Sequence, residues 1–147
     1  MEKKIFEIEI DREILEKMNF PVITAFHKEN ELNFMLDTGA DGSVIARSLL
    51  EILENENVGK ANLVTLHNSG ESDLHRILIA IGNSEERERK SNRFMVTFYL
   101  VEDEPDENLF LGKPIHGILG NDFLHDVRAI IDYKNCKLTG HELEKGN

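Results

Sequence analysis

An ionisable carboxylate follows directly on an apolar run in the stretch LDTGADGSVI, which begins at Leu36 and contains Asp37, Thr38 and Gly39. A carboxylate can activate water for attack on a carbonyl carbon if a nearby carboxylic acid polarises or protonates the carbonyl oxygen. Two such groups in contact must share one proton. Glycine permits a tight turn, and a short hydroxyl can hydrogen-bond across one. The triplet therefore predicts a loop that holds a reactive carboxylate. A plain turn residue is the alternative for Asp37.

The elements that would position this loop are mostly strands, because two-residue alternation dominates the chain. In FEIEI, from Phe6, apolar residues alternate with glutamates. PVITAFHKENELNFML, from Pro21, predicts two strands joined by a turn at Lys28 to Asn30, and the second strand delivers Asp37. The fold class predicted is mainly β, with one or two short helices.

The middle of the chain predicts one helix and a hairpin. ARSLLEILENEN, from Ala46, spaces its apolar residues by three and four, which favours a short amphipathic helix. NLVTL, from Asn62, and LHRILIAIG predict strands around an exposed tip, HNSGESD. FMVTFYLV predicts a further strand. We interpret NSEERERKSNR and EDEPDEN as solvated loops.

The last third predicts an apolar strand that runs into Gly120, a short helical turn, and a hairpin pairing 129–133 with 136–139. The lone Cys136 falls in the turn of this hairpin, where an ordinary free thiol is expected. Asp122 and Asp132 are interpreted as helix-cap and turn residues.

These motifs together resemble the retropepsin-like (retroviral-type, single-domain) aspartic protease family. LDTGADGSVI resembles the active-site loop of that family, and GILGNDFL resembles the apolar segment ending in glycine that lies beside the loop. The resemblance is strongest over 21–139. It implies a retropepsin-like acid-protease barrel that occupies 1–147 as one domain, with one lobe per chain. Residues 1–20 would be an N-terminal strand and connector, and 140–147 a tail.

The resemblance also implies roles for individual residues. A chain with one such triplet would act as a symmetric homodimer, with Asp37 from each copy activating a water that hydrolyses peptide bonds of extended polypeptide. Thr38 would lock the two loops together and Gly39 would help to position water and substrate. Substrate contacts would come from Ala40, Asp41, His67, Asn68, Ser69 and Gly70. Support behind the loop would come from Ile118, Leu119 and Gly120.

The chain departs from the retroviral pattern at two places. Retroviral members often have Arg-Asn after the glycine that corresponds to Gly120, whereas this chain has Asn121 and Asp122, so an arginine brace on the loop is not expected. The hairpin tip contains only Gly70 rather than a glycine-rich run.

Composition narrows the classes of partner. The formal net charge of −11 over 147 residues argues against nucleic acid or an anionic membrane, because phosphates are neutralised by clustered lysine and arginine. The first residues lack the apolar core of a signal peptide, and the single cysteine fits a reducing compartment, so a cytoplasmic protein is expected. No cofactor is expected. His116, His125 and Asp122 cluster in sequence, but they lack the spacings of zinc motifs, so no metal is expected either.

Two functions remain open on the sequence alone. The first is an aspartic endopeptidase. The second is a catalytically silent module of the same fold that binds a protein partner or dimerises, because a fold does not guarantee its chemistry. The intact triplet favours the enzyme.

Overall fold

Strands make up about half of the residues that the structure describes. The computed structural model describes residues 2–64 and 69–144, the side chains of 63, 64 and 69 excepted. The strands in these ranges are β1 Glu2–Glu9, β2 Val22–His27, β3 Asn30–Leu36, β4 Ser43–Ala46, β5 Glu56–Val64, β6 Ser69–Ala80, β7 Arg93–Val101, β8 Leu109–Phe110, β9 Lys113–Pro114, β10 Gly117–Leu119, β11 Ile130–Asp132 and β12 Lys137–Leu143. The α helices there are α1 Arg12–Met18 and α2 Asn121–Asp126.

Six strands close into a barrel, which confirms the predicted mainly β fold class. They follow the order β2-β3-β10-β4-β7-β6, and the pairing of Phe26 on β2 with Ala80 on β6 closes the ring. Alternate residues of these strands face inward, as the two-residue period requires. The interior is filled by large apolar side chains, among them Ile23, Leu32, Phe34, Ile45, Ile77, Ile79, Phe98 and Leu119.

Strand β10 determines where the loops of the barrel meet. It lies between β3 and β4, parallel to β3 and antiparallel to β4, although it is far from both in sequence. The chain leaving β3 enters Asp37, and the chain leaving β10 enters Gly120. Because parallel neighbours end at the same edge of a sheet, the two segments emerge side by side.

A second sheet contains the ends of the described chain. Its order is β1-β12-β11, with both pairings antiparallel. The predicted closing hairpin is confirmed, since Ile130 to Asp132 pair with Thr139 to Lys137. Its turn includes Cys136, which is buried and has a positive φ of 54°.

The helix predicted from Ala46 is shorter than expected. It is a 3₁₀ helix over Arg47–Glu51 rather than an α helix that continues to Asn57. The Asn55 side chain donates to the carbonyls of Leu50 and Leu53, at 3.0 and 2.7 Å. These bonds satisfy carbonyl groups that a further helical turn would use, and β5 starts one residue later.

Helix α1, Arg12–Met18, lies in the part of 1–20 that was expected to connect the first strand to the rest, and no helix was predicted there. Asp11 caps the helix, because its Oδ1 accepts from the Ile14 N–H at 2.9 Å. The helix ends at Asn19, which adopts the left-handed conformation with φ 61°. The signal was present in the sequence as a capping aspartate three residues before an apolar pair.

One of the charged segments is more packed than a solvated loop. Within NSEERERKSNR, Asn92 is buried and donates to the Ile81 carbonyl at 3.0 Å. The Arg87 guanidinium lies over the Phe26 ring, 3.7 Å from its centroid. These two contacts fix the segment against the barrel. In the described ranges, no helix combines the length and the apolar character that crossing a bilayer would need.

Candidate active site

The Asp37 loop is held by hydrogen bonds to its own turn and to β10. The Asp37 N–H donates to the Leu119 carbonyl at 3.0 Å, which continues the β3–β10 pairing past the end of β3. The Gly39 N–H donates to Asp37 Oδ1 at 2.8 Å, and the Ala40 N–H donates to the Asp37 carbonyl at 3.2 Å. This geometry orients the carboxylate. A Cβ on Gly39 would lie 3.2 Å from Asp37 Oδ1, so the close approach favours glycine.

The segment after β10 forms the floor of the loop. The Asn121 N–H donates to the Ala40 carbonyl at 2.7 Å, and the Asn121 side chain donates to the Thr38 carbonyl at 2.6 Å. A Cβ on Gly120 would lie 2.7 Å from the Ala40 carbonyl oxygen and would also strike Gly42. Only glycine lets the two backbones come this close. Asn121 therefore supplies a brace that the sequence reasoning had not assigned.

A buried hydroxyl joins the loop to helix α2. Ser43 is fully buried; its Oγ donates to Asp122 Oδ1 at 2.7 Å and accepts from the Gly120 N–H at 3.0 Å. Asp122 Oδ1 also accepts from the Phe123 N–H at 2.8 Å, so this carboxylate satisfies a donor at the start of α2. Ser43 is a positioning residue that the sequence reasoning missed. Ser43 is the first residue of β4, and its neighbours in the sequence give no signal of a partner 79 positions away.

A cleft of about 810 Å³ opens beside the loop. Five residues singled out from the sequence line it: Asp37, Gly39, Ala40, Asp41 and Ile118. Thr38 is exposed next to the cleft, while Leu119 and Gly120 are buried behind the loop. Other lining residues were not predicted, namely Met35, Gly42, Val44, Asn62, Tyr99, Val101, Asp103, Asn108, Phe110, Ile115, His116 and Gly117.

The β5–β6 hairpin reaches the cleft at Asn62, and its bounds differ from those predicted. Strand β5 begins at Glu56 rather than Asn62, and β6 begins at Ser69, so most of the expected polar tip is strand. Cross-strand pairing continues to Val64 and Ser69, which polar composition alone does not reveal. Gly70 is exposed on β6. His67 and Asn68 lie outside the described residues, as does the Ser69 side chain.

His116 forms part of the cleft wall and has a fixed tautomer. The ring Nδ1 accepts from the Asn33 backbone N–H at 2.9 Å, and the His116 backbone N–H donates to the Asn33 carbonyl at 2.9 Å. An accepting Nδ1 leaves the proton on Nε2. Burial lowers the pKa of His116 below its ordinary value, and the Asp106 carboxylate acts in the opposite direction. The ring is therefore kept neutral and offers Nε2–H as a donor.

The described residues contain no group of three histidine, cysteine or acidic side chains placed to hold a metal ion. His116 faces Asn33, whereas Asp122 is bonded to Ser43. Asp132 accepts from the N–H and side chain of Asn135, at 3.0 and 2.8 Å, which confirms it as a turn residue.

Comparisons with known proteins give a family and a fold. A family model described as aspartyl protease matches residues 23–123. Among solved structures, a retropepsin-like aspartic protease from Rickettsia conorii matches with a TM-score of 0.56 and 19% identity, covering 97% of this chain and 97% of that one. The EIAV protease, solved with the inhibitor HBY-793, matches with a TM-score of 0.55 and 18% identity, covering 79% of this chain and 95% of that one. A search of curated proteins by sequence gives no match.

Proposed function

The chain belongs to the aspartyl protease family, and on that premise we propose an endopeptidase whose active form is a symmetric homodimer with Asp37 from each copy as the catalytic pair. The observation that carries the proposal is the Asp37 loop: one carboxylate, oriented by the Gly39 N–H, at the wall of a cleft large enough for a peptide. One chain offers one such loop. The chemistry requires two carboxylates, and an isologous contact supplies the second.

In the proposed reaction, the two Asp37 carboxylates share one proton and hold a water between them. The ionised carboxylate takes a proton from the water while the water oxygen attacks the carbonyl carbon. The protonated carboxyl gives its proton to the carbonyl oxygen, so a neutral tetrahedral gem-diol forms. The carboxyl that took the water proton then gives it to the amide nitrogen. The C–N bond breaks, and a hydroxyl of the gem-diol returns a proton to one carboxylate. The products are a carboxylic acid and an amine.

The neighbouring residues take the roles that their positions support. Gly39 keeps the carboxylate oriented through its N–H, and exposed Thr38 would meet its symmetry mate. Ala40 and Asp41 would bind the substrate backbone along one wall, and Gly70 would bind it from the hairpin by β-strand pairing. The same proposal includes His67, Asn68 and Ser69 as substrate contacts from the hairpin. A cytoplasmic location is part of it too, since the one cysteine, Cys136, is buried and fits a reducing compartment.

We place the partner along the free edge of β11. Among the described residues this strand pairs only with β12, and Ile130 on it is 55% exposed. The opposite edge of that sheet, β1, is protected by charged residues, among them the Lys4–Glu7 ion pair. Strand β11 follows α2, which starts directly after Gly120, so the proposed edge is linked to the Asp37 loop through the floor of the site.

The test of activity is cleavage of a peptide mixture near pH 5 by the native chain and by Asp37→Asn, with new termini identified by mass spectrometry. Removing an acid–base group costs at least about a hundredfold, so the variant should lose detectable cleavage. Equal cleavage by both proteins would refute the role of Asp37. Absence of cleavage by the native chain over a broad pH and concentration range would favour the silent binding module.

Mixing experiments test whether the site spans two chains. If subunits exchange and both Asp37 residues are needed, activity should fall as the square of the native fraction when Asp37→Asn is added at constant total protein. A linear fall would show that each chain works alone. For the interface, Ile130→Lys should weaken the dimer in sedimentation. Ile52→Lys is a matched control, because Ile52 is 62% exposed away from β11.

A further inference from the structure

The cleft beside Asp37 has an unbalanced charge that another large cavity of the protein lacks. A cavity of about 640 Å³ next to His27 has as many basic as acidic lining residues. These are Glu29, Glu54, Glu56, Glu88, Lys28, Arg76, Arg87 and Arg93. Among the described residues lining the cleft, the charged side chains are Asp37, Asp41 and Asp103, with no lysine or arginine.

Two of these carboxylates have no cationic partner among the residues that the structure describes. Within 2–64 and 69–144, neither Asp41 nor Asp103 forms an ion pair, although Glu102, the neighbour of Asp103, pairs with Arg47 at 2.6 Å. Asp41 is held in place through its backbone, because its carbonyl accepts from the Asp122 N–H at 3.0 Å. Asp103 follows the end of β7. Both side chains are exposed at the rim of the cleft.

The walls below this rim are mostly apolar. The larger apolar side chains that line them are Met35, Val44, Val101, Phe110, Ile115 and Ile118, and the ring of Tyr99 lies beside them. An apolar wall with carboxylates at its rim matches the two parts of a lysine or arginine side chain. The methylene stem packs on the apolar surface, and the charged head stays at the polar edge.

We propose that the cleft selects polypeptides that place a lysine or arginine side chain beside the scissile bond, and that Asp41 and Asp103 determine this specificity. The inference rests on the proposed endopeptidase function and concerns the same site. One exposed carboxylate attracts a cation weakly, because water screens the pair. Two at one rim reinforce each other, and in the homodimer the partner's half repeats them. The net charge of −11 adds long-range attraction for cationic peptides.

The test uses one peptide that the native protein cleaves, resynthesised with arginine, lysine, norleucine, glutamine or glutamate at each position flanking the scissile bond. At about pH 6, kcat/KM for arginine or lysine should exceed that for norleucine by about tenfold at one or more positions. The preference should fall as salt is added, since screening weakens it.

Variants then assign the preference to residues. Asp103→Asn and Asp41→Asn should each lower the ratio of arginine to norleucine cleavage, and Asp103→Lys should turn it towards glutamate. Glu31→Gln removes the same charge at the far end of β3 from Asp37, and it should leave the ratio unchanged.

The outcomes separate this inference from the function on which it rests. Cleavage without a basic preference, or a preference that survives in both Asp41→Asn and Asp103→Asn, would overturn the specificity and leave the peptidase intact. Failure of the native chain to cleave any peptide would overturn the peptidase and the specificity together.

Discussion

The Asp37 loop and the β5–β6 hairpin border the same cleft, but the protein holds them differently. The loop is bonded from below through Leu119, Asn121 and the buried Ser43. Along β6, pairing with β7 begins at Leu74, so the residues between Leu74 and the tip of the hairpin lie outside the barrel. Beyond it, β5 and β6 pair only with each other in the described ranges. A two-stranded ribbon is marginally stable by itself. The difference predicts that the Asp37 loop is the more rigid of the two regions and that the described part of the hairpin is the more mobile.

Substitution of one glycine in each region should give the largest difference in the free energy of unfolding between the two regions. Gly120→Ala puts a methyl group 2.7 Å from the Ala40 carbonyl oxygen, so the floor and the loop must separate. We expect a loss of about 3 kcal/mol or more in the free energy of unfolding, together with loss of cleavage.

Gly70→Ala is the matched control, because a Cβ there meets nothing within 4 Å. Alanine in a strand is no worse than glycine, so stability should stay within about 1 kcal/mol of the native value. Denaturant unfolding of both variants measures the difference. Equal destabilisation would contradict the view that only the loop is tightly packed.

Removal of the buried Ser43 hydroxyl behind the loop should have the next largest effect on stability. Ser43→Ala leaves the Gly120 N–H without its acceptor and removes the donor to Asp122. Leaving such a buried group unsatisfied should cost about 1–3 kcal/mol. Because the brace sets the loop, kcat should fall as well. Ser84→Ala, at an exposed serine, serves as the control, and a Ser43 variant as stable and active as that control would show that the brace is dispensable.

The base of the hairpin should respond differently from the loop. Ser72 is buried, and its Oγ accepts from the Leu100 N–H at 3.1 Å where the β6–β7 pairing has ended. Ser72→Ala should cost about 1 kcal/mol. Hydrogen exchange at Gly70 to Asp73 should accelerate, and KM should rise more than kcat falls. If exchange accelerates equally at Asp37, the two regions form one unit and the comparison fails.

The same contrast shows what the sequence could predict. Strand alternation and the D-T-G triplet are local signals, so the barrel strands and the position of Asp37 at the end of β3 were predictable. The partners of Ser43 and the presence of Tyr99 and Asp103 in the cleft depend on an arrangement in which β10 inserts between β3 and β4 and β7 pairs with β4. That arrangement joins residues far apart in sequence, which neither spacing nor composition records. Helix α1 was not predicted although its Asp11 cap was visible, because the residues after FEIEI were assigned only to a connector.

The smallest expected effect is a pH dependence from His116 in the wall of the cleft. Burial lowers the pKa of His116 in the folded protein, so as pH falls the unfolded chain takes up this proton first. The contribution of His116 to stability is therefore complete above the ordinary histidine pKa of about 6.5 and is lost as pH falls from there towards the folded value. His116→Gln removes the titrating group. The free energy of unfolding of the native chain should decline more steeply from pH 7.5 to 5.5 than that of the variant. Parallel declines would show that His116 titrates alike in both states, and the neutral Nε2–H donor would then not persist at the acidic pH where a shared-proton pair works.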